Sequence, residues 1–297
     1  MIATRVPFTA AVLLLVSNAG SLTAQTRSYT VDLENRYANV GAALVVVGPN
    51  DFGIPTGIGA MSSGTLIHPQ VFMVAGHFTG PGALPLPPFL KVYVSLAPNA
   101  RDPSSWIPIT AQITHPSLPP CPPPAGCDPT TTGVFTAGDP SFTDLGLVFL
   151  ARPVENIKPA KLASPGRLEK NQTQEVPMTT VGYGDPTCGP RRDISMRDGL
   201  RKYRSSKIAQ ILNGQWASWE LPTAVRFGDS GAPTFFDNLA DVSENHQTVV
   251  AVASDGGIDC ISKDIRTRVD TFAVHQWIRD TIKQQLGVDV DLEAGER

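Results

Sequence analysis

A serine, a histidine and an aspartate occur in settings that suit nucleophilic chemistry. Ser230 lies in the stretch RFGDSGAPTFF, His77 ends the apolar stretch VFMVAGH, and Asp144 begins the apolar stretch DLGLVFL. An imidazole can take the proton of a serine hydroxyl, and a carboxylate can orient that imidazole and stabilise its cationic form. Each residue by itself is better explained by a turn or a strand end. The three together indicate a serine that is activated for attack on a carbonyl group.

The remaining four histidines occur in ordinary structural settings. His68 and His115 each precede a proline, which is typical of a turn, and His246 lies in the polar stretch SENHQT. His275 lies in a predicted helix. His77 differs because it closes an apolar strand, where a buried imidazole is held firmly, and it is therefore the candidate base.

Strand-length apolar segments, many of them rich in Val, Ile and Thr and separated by Gly and Pro, must position these side chains. They span 40–47, 63–69, 71–76, 89–96, 108–114, 145–151, 176–184, 208–213, 248–254 and 265–271. A helical spacing of apolar residues follows at 272–287, where Gly287 provides a stop signal. The pattern predicts an all-β body with one C-terminal α-helix, and the polar stretch 152–172 is the predicted linker.

Length and composition limit the class of protein. The 297 residues are enough for two modest domains, and a hydrophobic content of 41% supports a sizeable core. The net charge of −3 provides no basic surface for nucleic acid. The 26 glycines and 27 prolines favour many turns and short strands over long helices.

The first 24 residues have the layout of a secretory signal peptide, with Arg5 near the start, an apolar run at 11–16 and small residues up to Ala24. A membrane anchor is the alternative interpretation, but the apolar run is shorter than the roughly 20 residues that span a bilayer. We therefore expect cleavage after Ala24 and a secreted protein, either extracellular or periplasmic.

The four cysteines fit an oxidising compartment as two disulfides. They lack the paired spacing of zinc ligands. Four cysteines allow three pairings, and the short loop CPPPAGC favours Cys121–Cys127, which leaves Cys188 with Cys260.

Several motifs together resemble those of secreted chymotrypsin-like serine proteases, the family with the trypsin fold. SGTLIHPQVFMVAGHF (63–78) is similar to the family's histidine motif, and DLGLVFL (144–150) is similar to its aspartate motif. GDSGAP (228–233) matches the serine motif residue for residue. The end TRVDTFAVHQWI (267–278) is also similar, and the resemblance covers roughly residues 38–287.

The resemblance implies two antiparallel six-stranded β-barrels packed together, with a C-terminal α-helix and the active site between the barrels. Residues 38–158 would form the N-terminal barrel, which carries His77 and Asp144. Residues 172–287 would form the C-terminal barrel and the helix, and would carry Ser230. Ser230 would attack the scissile carbonyl, His77 would act as base and then as acid, and Asp144 would fix the imidazole.

The resemblance also implies how the substrate is held. The backbone N–H groups of Gly228 and Ser230 would form the oxyanion hole and stabilise the negative charge of the intermediate. Ser254 matches the serine that lies beside the triad aspartate, and Ser254–Gly256 would pair with the substrate backbone as an added strand.

The chain departs from the family's pattern at its cysteines. Phe78 follows the histidine where a cysteine is usual, so the family's histidine-loop disulfide is absent. Arg226 occupies the position of a second usual cysteine, and Cys260 matches the partner of that cysteine. Cys260 is therefore left to reach Cys188.

The residues that match the specificity pocket also differ from those of trypsin-like enzymes. Ala224 stands where those enzymes have the aspartate that recognises Lys and Arg. Asp264 matches a glycine of the pocket wall, and Asp255 follows Ser254 where an aromatic residue is common. Either acid can restore a preference for basic side chains, but solvated loops are the favoured setting for both.

The activation step of the family has no clear counterpart. In the family the aspartate before the serine pairs with a newly cut amino terminus, but no R-[IV]-V-G-G site is present. Asp229 is present, and the amine near Gln25 and the side chain of Arg226 are candidate cations for it. The alternative is that the protein needs no zymogen step.

The sequence thus predicts a secreted serine endopeptidase that acts on protein or peptide substrates through a Ser-His-Asp triad and an acyl-enzyme intermediate. The alternative is a catalytically silent protein of the same fold with a binding or adhesion role. We expect a monomer with no metal, no cofactor, and no nucleic-acid or membrane partner.

Overall fold

The computed structural model describes most of the chain from Tyr29 onward. The described residues are 29–48, 57–80, 90–118, 139–171, 178–185, 197–219, 227–236, 247–256 and 264–293. Residues 1–24, the four cysteines, Ala224 and Arg226 lie outside these ranges, so the predictions made for them are not addressed by the structure. In the described part, no helix is long and apolar enough to cross a membrane.

Six antiparallel strands form a closed barrel in the first half of the chain, and they are joined in the order β2-β3-β4-β7-β6-β5. The strands are β2 (Val40–Val47), β3 (Gly57–His68), β4 (Val71–Val74), β5 (Leu90–Ser95), β6 (Trp106–Thr114) and β7 (Gly146–Leu150). The buried residues of β4 and β7 are apolar along their whole length. The predicted apolar segments in this half of the chain therefore correspond to strands of the barrel, and the first predicted segment, 40–47, has the same bounds as β2.

The remaining strands form a second sheet in the order β1-β10-β9-β13-β14-β15-β12-β11, with β8 parallel to β14. They are β1 (Thr30–Val31), β8 (Lys161–Leu162), β9 (Met178–Gly182), β10 (Lys202–Ser206), β11 (Ile208–Ile211), β12 (Trp216–Trp219), β13 (Pro233–Phe235), β14 (Thr248–Asp255) and β15 (Asp264–Arg268). The all-β class and the two-barrel arrangement are confirmed, although this sheet has nine strands in the described residues where six were expected.

Three α-helices accompany the sheets in the described residues: α1 (Gly76–Thr79), α2 (Arg167–Asn171) and α3 (Phe272–Leu286). The helix α3 confirms the predicted C-terminal helix. Its amino end is capped by the Thr271 hydroxyl, which accepts from the Val274 N–H, and it ends at Gly287 with a φ of 71°. That left-handed conformation favours glycine at the end of a helix.

The predicted linker at 152–172 is partly built into the second sheet. It contains β8 and α2, and Leu162 and Leu168 are fully buried within it. The Leu168 N–H donates to Asp270 Oδ2 over 2.7 Å. These elements are too short for the periodicity of their residues to reveal them, so only a polar stretch could be recognised from the sequence.

The two sheets share one apolar core. A single cluster of buried side chains runs from Val40 and Leu147 of the barrel to Val181 and Phe235 of the second sheet and on to Ile278 of α3. Because this core is continuous, the barrel and the second sheet are held in a fixed relation, and loops from both meet at their junction.

Candidate active site

His77 lies in α1, directly after the buried strand β4. Its side chain is 14% exposed, so the imidazole is mostly shielded but remains open to a partner. The neighbouring strand β7 begins just after Asp144, and β4 and β7 are paired in the barrel. The barrel therefore brings together two residues that are 67 positions apart in sequence.

The Asp144 carboxylate binds His77 at two points. Asp144 Oδ1 accepts the His77 backbone N–H over 2.7 Å, and Asp144 Oδ2 lies 2.8 Å from His77 Nδ1. An ionised carboxylate has no proton to donate, so Nδ1 must carry the hydrogen of this bond. In the neutral ring, Nε2 is then left as the proton acceptor.

The second sheet also contributes to the environment of Asp144. Ser254, on β14, donates its hydroxyl to Asp144 Oδ2 over 2.5 Å, and the Thr267 hydroxyl donates to the Asp144 carbonyl over 3.2 Å. Burial of this carboxyl by itself would raise its pKa. The charge of His77 and the hydrogen bonds from His77 and Ser254 outweigh burial, so the pKa of Asp144 lies below its ordinary value.

Ser230 lies in a tight turn that packs against the barrel. Gly228 and Gly231 have φ angles of 101° and 80°, which are accessible at low cost only to glycine. Gly231 approaches the barrel so closely that a Cβ atom on it would lie 2.7 Å from the Ala75 nitrogen. Because Ala75 is two residues before His77, this packing places the Ser230 turn beside the histidine.

Two serines of β3 hold the turn from the barrel side. The Ser230 carbonyl accepts the Ser63 N–H over 2.8 Å and the Ser62 hydroxyl over 2.6 Å. The Ser63 hydroxyl donates to the Gly228 carbonyl over 2.6 Å. The carbonyls at both ends of the turn are therefore fixed by the opposite sheet.

The peptide groups that carry the expected oxyanion donors are also fixed. The Phe227 carbonyl accepts the Asp185 N–H over 3.1 Å, and the Asp229 carbonyl accepts the Ala232 N–H over 2.7 Å. In a trans peptide the N–H points away from the carbonyl, so these bonds set the directions of the Gly228 and Ser230 N–H groups. Neither N–H donates to another group of the described residues, which leaves both available to a ligand.

The residues expected to bind the substrate backbone lie at the end of β14. Ser254 is buried, and Asp255 and Gly256 follow it at the end of the strand. Asp255 Oδ1 accepts the Gly256 N–H over 2.8 Å. At least one oxygen of this carboxylate is therefore engaged in its own turn.

Asp264 occupies a different setting from the solvated loop that was favoured for it. It begins β15, is 1% exposed and lies 2.9 Å from Arg266 Nη2. Arg266 is itself fully buried and donates through Nη1 to the hydroxyls of Thr180 and Thr234. Burial lowers the pKa of Arg266 despite the neighbouring Asp264. The carboxylate of Asp264 is therefore neutralised within the sheet.

Sequence reasoning missed several residues that shape this site. Ser62 precedes the histidine motif and Ser63 begins it, and both look like ordinary strand residues. Arg204 and Arg266 look like solvent-facing charges on short strands. Two sequence signals were available: the adjacent hydroxyls of Ser62 and Ser63, and the spacing of Asp264 and Arg266 two residues apart.

The closed barrel, the second sheet and the C-terminal helix together give the chain a trypsin-like fold. Among solved structures, it is similar to one titled HL collagenase, a chymotrypsin-like serine protease. The TM-score is 0.54 and the identity is 18%, over 89% of this chain and 98% of that chain. At this identity the likeness shows the fold alone. No family model matches the chain, and no curated protein matches it.

Proposed function

We propose that the protein is a secreted serine endopeptidase with the triad His77, Asp144 and Ser230. The observation that carries this proposal is the double contact of Asp144 with the His77 backbone and ring. A buried carboxylate that orients an imidazole in this way is the arrangement that a serine nucleophile needs. The packing of the Ser230 turn beside Ala75 supports the assignment of the nucleophile.

In the proposed reaction, His77 Nε2 takes the proton of the Ser230 hydroxyl as Oγ attacks the carbonyl carbon of the peptide bond. The imidazole becomes cationic, and the Asp144 carboxylate at 2.8 Å stabilises that charge. His77 then gives the proton to the leaving amine, which leaves an acyl-enzyme. Water attacks the ester by the same route and regenerates the serine.

The oxyanion of the tetrahedral intermediate would be bound by the N–H groups of Gly228 and Ser230. Donors that are already oriented stabilise this charge without reorganising during the reaction, and loss of one costs on the order of 2.7–4 kcal/mol in related chemistry. The anchored carbonyls of Phe227 and Asp229 support such an orientation.

A fluorophosphonate probe tests the nucleophile directly. Purified protein is treated with the probe at about pH 8, where an ordinary imidazole is neutral, and the modified residue is identified by peptide mass spectrometry. We expect a single adduct on Ser230, no adduct in Ser230→Ala, and a slow reaction in His77→Ala. If folded protein shows no adduct on Ser230, the enzyme assignment is wrong and the silent binding protein of the same fold is favoured.

We propose further that the protein is exported, that residues 1–24 are removed, and that the disulfides are Cys121–Cys127 and Cys188–Cys260. Amino-terminal sequencing of the secreted form tests the first point, with Gln25 as the expected first residue. Non-reducing peptide mapping tests the second, and a Cys121–Cys260 peptide would contradict it.

A further inference from the structure

The carboxylate of Asp229 is buried directly beneath the Ser230 turn. It is 2% exposed, and its Oδ1 accepts the Gly184 N–H over 3.0 Å. A buried carboxylate without a compensating charge is strongly destabilising. Asp229 immediately precedes Ser230, so the group that neutralises it also fixes the position of the nucleophile and of the oxyanion donors.

Arg204 provides a positive charge to this carboxylate. Its Nη2 lies 3.1 Å from Asp229 Oδ2, and the side chain is only 15% exposed. Arg204 lies in the middle of β10, which is paired with β9 on one side and with β1 on the other. The strand therefore holds the guanidinium in place as a permanent part of the sheet.

The surroundings of Asp229 are shaped to accept this ion pair. A Cβ atom on Gly184 would lie 2.4 Å or less from the carboxyl carbon and Oδ2 of Asp229, and a Cβ atom on Gly182 would also collide with Oδ1. Tyr183, between these glycines, donates its N–H to the Ser63 hydroxyl over 2.8 Å. The same Ser63 hydroxyl donates to the Gly228 carbonyl, so Ser63 links the segment that contains Tyr183 to the Ser230 turn.

The charges in this region are balanced by a neighbouring pair. The Arg266 guanidinium interacts electrostatically with both Arg204 and Asp229, and Asp264 Oδ2 lies 2.9 Å from its Nη2. Two arginines and two aspartates thus lie together inside the second sheet. Arg204 is the member of this group that pairs with the residue next to Ser230.

We propose that Arg204 is a positioning residue that supplies the charge for Asp229, so that the Gly228–Ser230 turn forms without a cut amino terminus. This inference rests on the proposed protease function. The rival that the structure allows to be tested is the amine near Gln25, because β1 at the start of the described chain pairs with the same strand that carries Arg204. Arg226, the other cation considered from the sequence, lies outside the described residues.

The first test removes the charge of Arg204. We expect Arg204→Gln to slow labelling of Ser230 by the fluorophosphonate about 100-fold or more, since a displaced turn loses oxyanion stabilisation. For a peptide substrate, kcat should fall while KM changes little, because the turn acts in the transition state. Arg204→Lys should recover part of the rate. Arg279→Gln is the control, since it breaks a 2.6 Å ion pair with Glu293 away from the site.

The second test moves the amino terminus. Ten Gly/Ser residues are inserted between Ala24 and Gln25 of the full chain, and the amino terminus is identified by mass spectrometry. The insertion displaces the amine whether or not the leader is removed. We expect an unchanged rate of labelling. A fall comparable to that of Arg204→Gln would overturn the proposal, as would a folded Arg204→Gln protein that reacts at the wild-type rate.

Melting temperatures separate this inference from the proposed function. We expect Arg204→Gln and Asp229→Asn to lower the melting temperature and the double variant to lower it by clearly less than the sum, because the second change removes a charge that the first left unpaired. The insertion should leave the melting temperature unchanged. If wild-type Ser230 does not react, the proposed function fails, and the melting temperatures still decide whether Arg204 holds Asp229. Strictly additive effects would overturn the pairing.

Discussion

Replacement of Asp144 by asparagine should abolish the function of His77 while leaving the fold intact. The two side chains have the same shape, and Asp144 Oδ1 accepts the His77 backbone N–H over 2.7 Å. The amide oxygen of Asn must take this place, because an N–H cannot accept a hydrogen bond. The amide NH₂ then occupies the position of Oδ2, where it faces His77 Nδ1 at about 2.8 Å and the Ser254 hydroxyl.

That orientation forces the wrong tautomer of the imidazole. A donor facing Nδ1 requires Nδ1 to be the acceptor, so the ring hydrogen moves to Nε2 and the base can no longer take the serine proton. The cationic imidazole would also lose its counter-charge. The corresponding change in the resembling family lowers kcat by about 10⁴, a value that we adopt from that family.

The assay compares rates of fluorophosphonate labelling at Ser230 with rates of peptide hydrolysis at about pH 8. Asp270→Asn is the control, because Asp270 is equally buried and accepts from Arg268 and from the Leu168 N–H, away from His77. We expect this control to lose stability but to keep the wild-type rate per folded molecule. An Asp144→Asn protein that is folded and reacts within tenfold of wild type would refute the assignment of the orienting acid.

Three further predictions follow from the structure. Ser254→Ala removes one of the hydrogen bonds that lower the pKa of Asp144. The ionised carboxylate stabilises the fold above about its ordinary pKa of 3.8, and this stabilisation is lost as pH falls through the lower pKa of the folded state, so the free energy of unfolding should fall less between pH 5 and pH 2 in the variant than in wild type. Labelling of Ser230 should fall far less than in Asp144→Asn. Peptides that differ only in the residue before the cut should show no preference above tenfold for Arg or Lys over Met, because Asp264 is paired with Arg266; a larger preference in kcat/KM would show that an acid is open to the substrate. Burial lowers the pKa of His115 to about 4 from 6.5, so this histidine favours the unfolded state as pH falls from 6.5 to 4; His115→Gln should reduce the drop in melting temperature over that range, and an unchanged drop would contradict the burial of the ring.

The β architecture could be predicted from the sequence because its longer strands are apolar segments of recognisable length, bounded by Gly and Pro. The segment VGAALVVV coincides with β2, and the helix predicted at 272–287 is α3 with its glycine stop. The shortest strands could not be predicted, since two or three residues such as β1, β8 and β13 define no period. Their position follows from pairing with distant strands, which is a property of the folded chain only.

The candidate site likewise has a part that the sequence predicts and a part that it does not. His77, Asp144 and Ser230 stand in motifs whose order is visible in the sequence, and the contact between His77 and Asp144 follows from the pairing of β4 with β7. The supports of the site are not visible, because each is a contact between segments far apart in the chain. Ser62 reaches the Ser230 carbonyl across 168 positions, and Arg204 reaches Asp229 across 25.

The strand β15 shows why the charged interior escaped prediction. In DIRTRVD the residues at alternate positions are Asp264, Arg266, Arg268 and Asp270, and the usual alternation predicts that this charged face is turned to solvent. In the structure both faces are buried: all four charged residues are at most 2% exposed, and on the other face Thr267 and Val269 are fully buried while Ile265 is partly exposed. Each arginine pairs with an aspartate two residues away at 2.9 Å, so the charges of this face compensate one another along the strand itself. An acid and a base two residues apart on a strand were the available signal that this face is buried and internally compensated. Because Arg266 pairs with Asp264, Arg204 is the arginine of this region that pairs with Asp229.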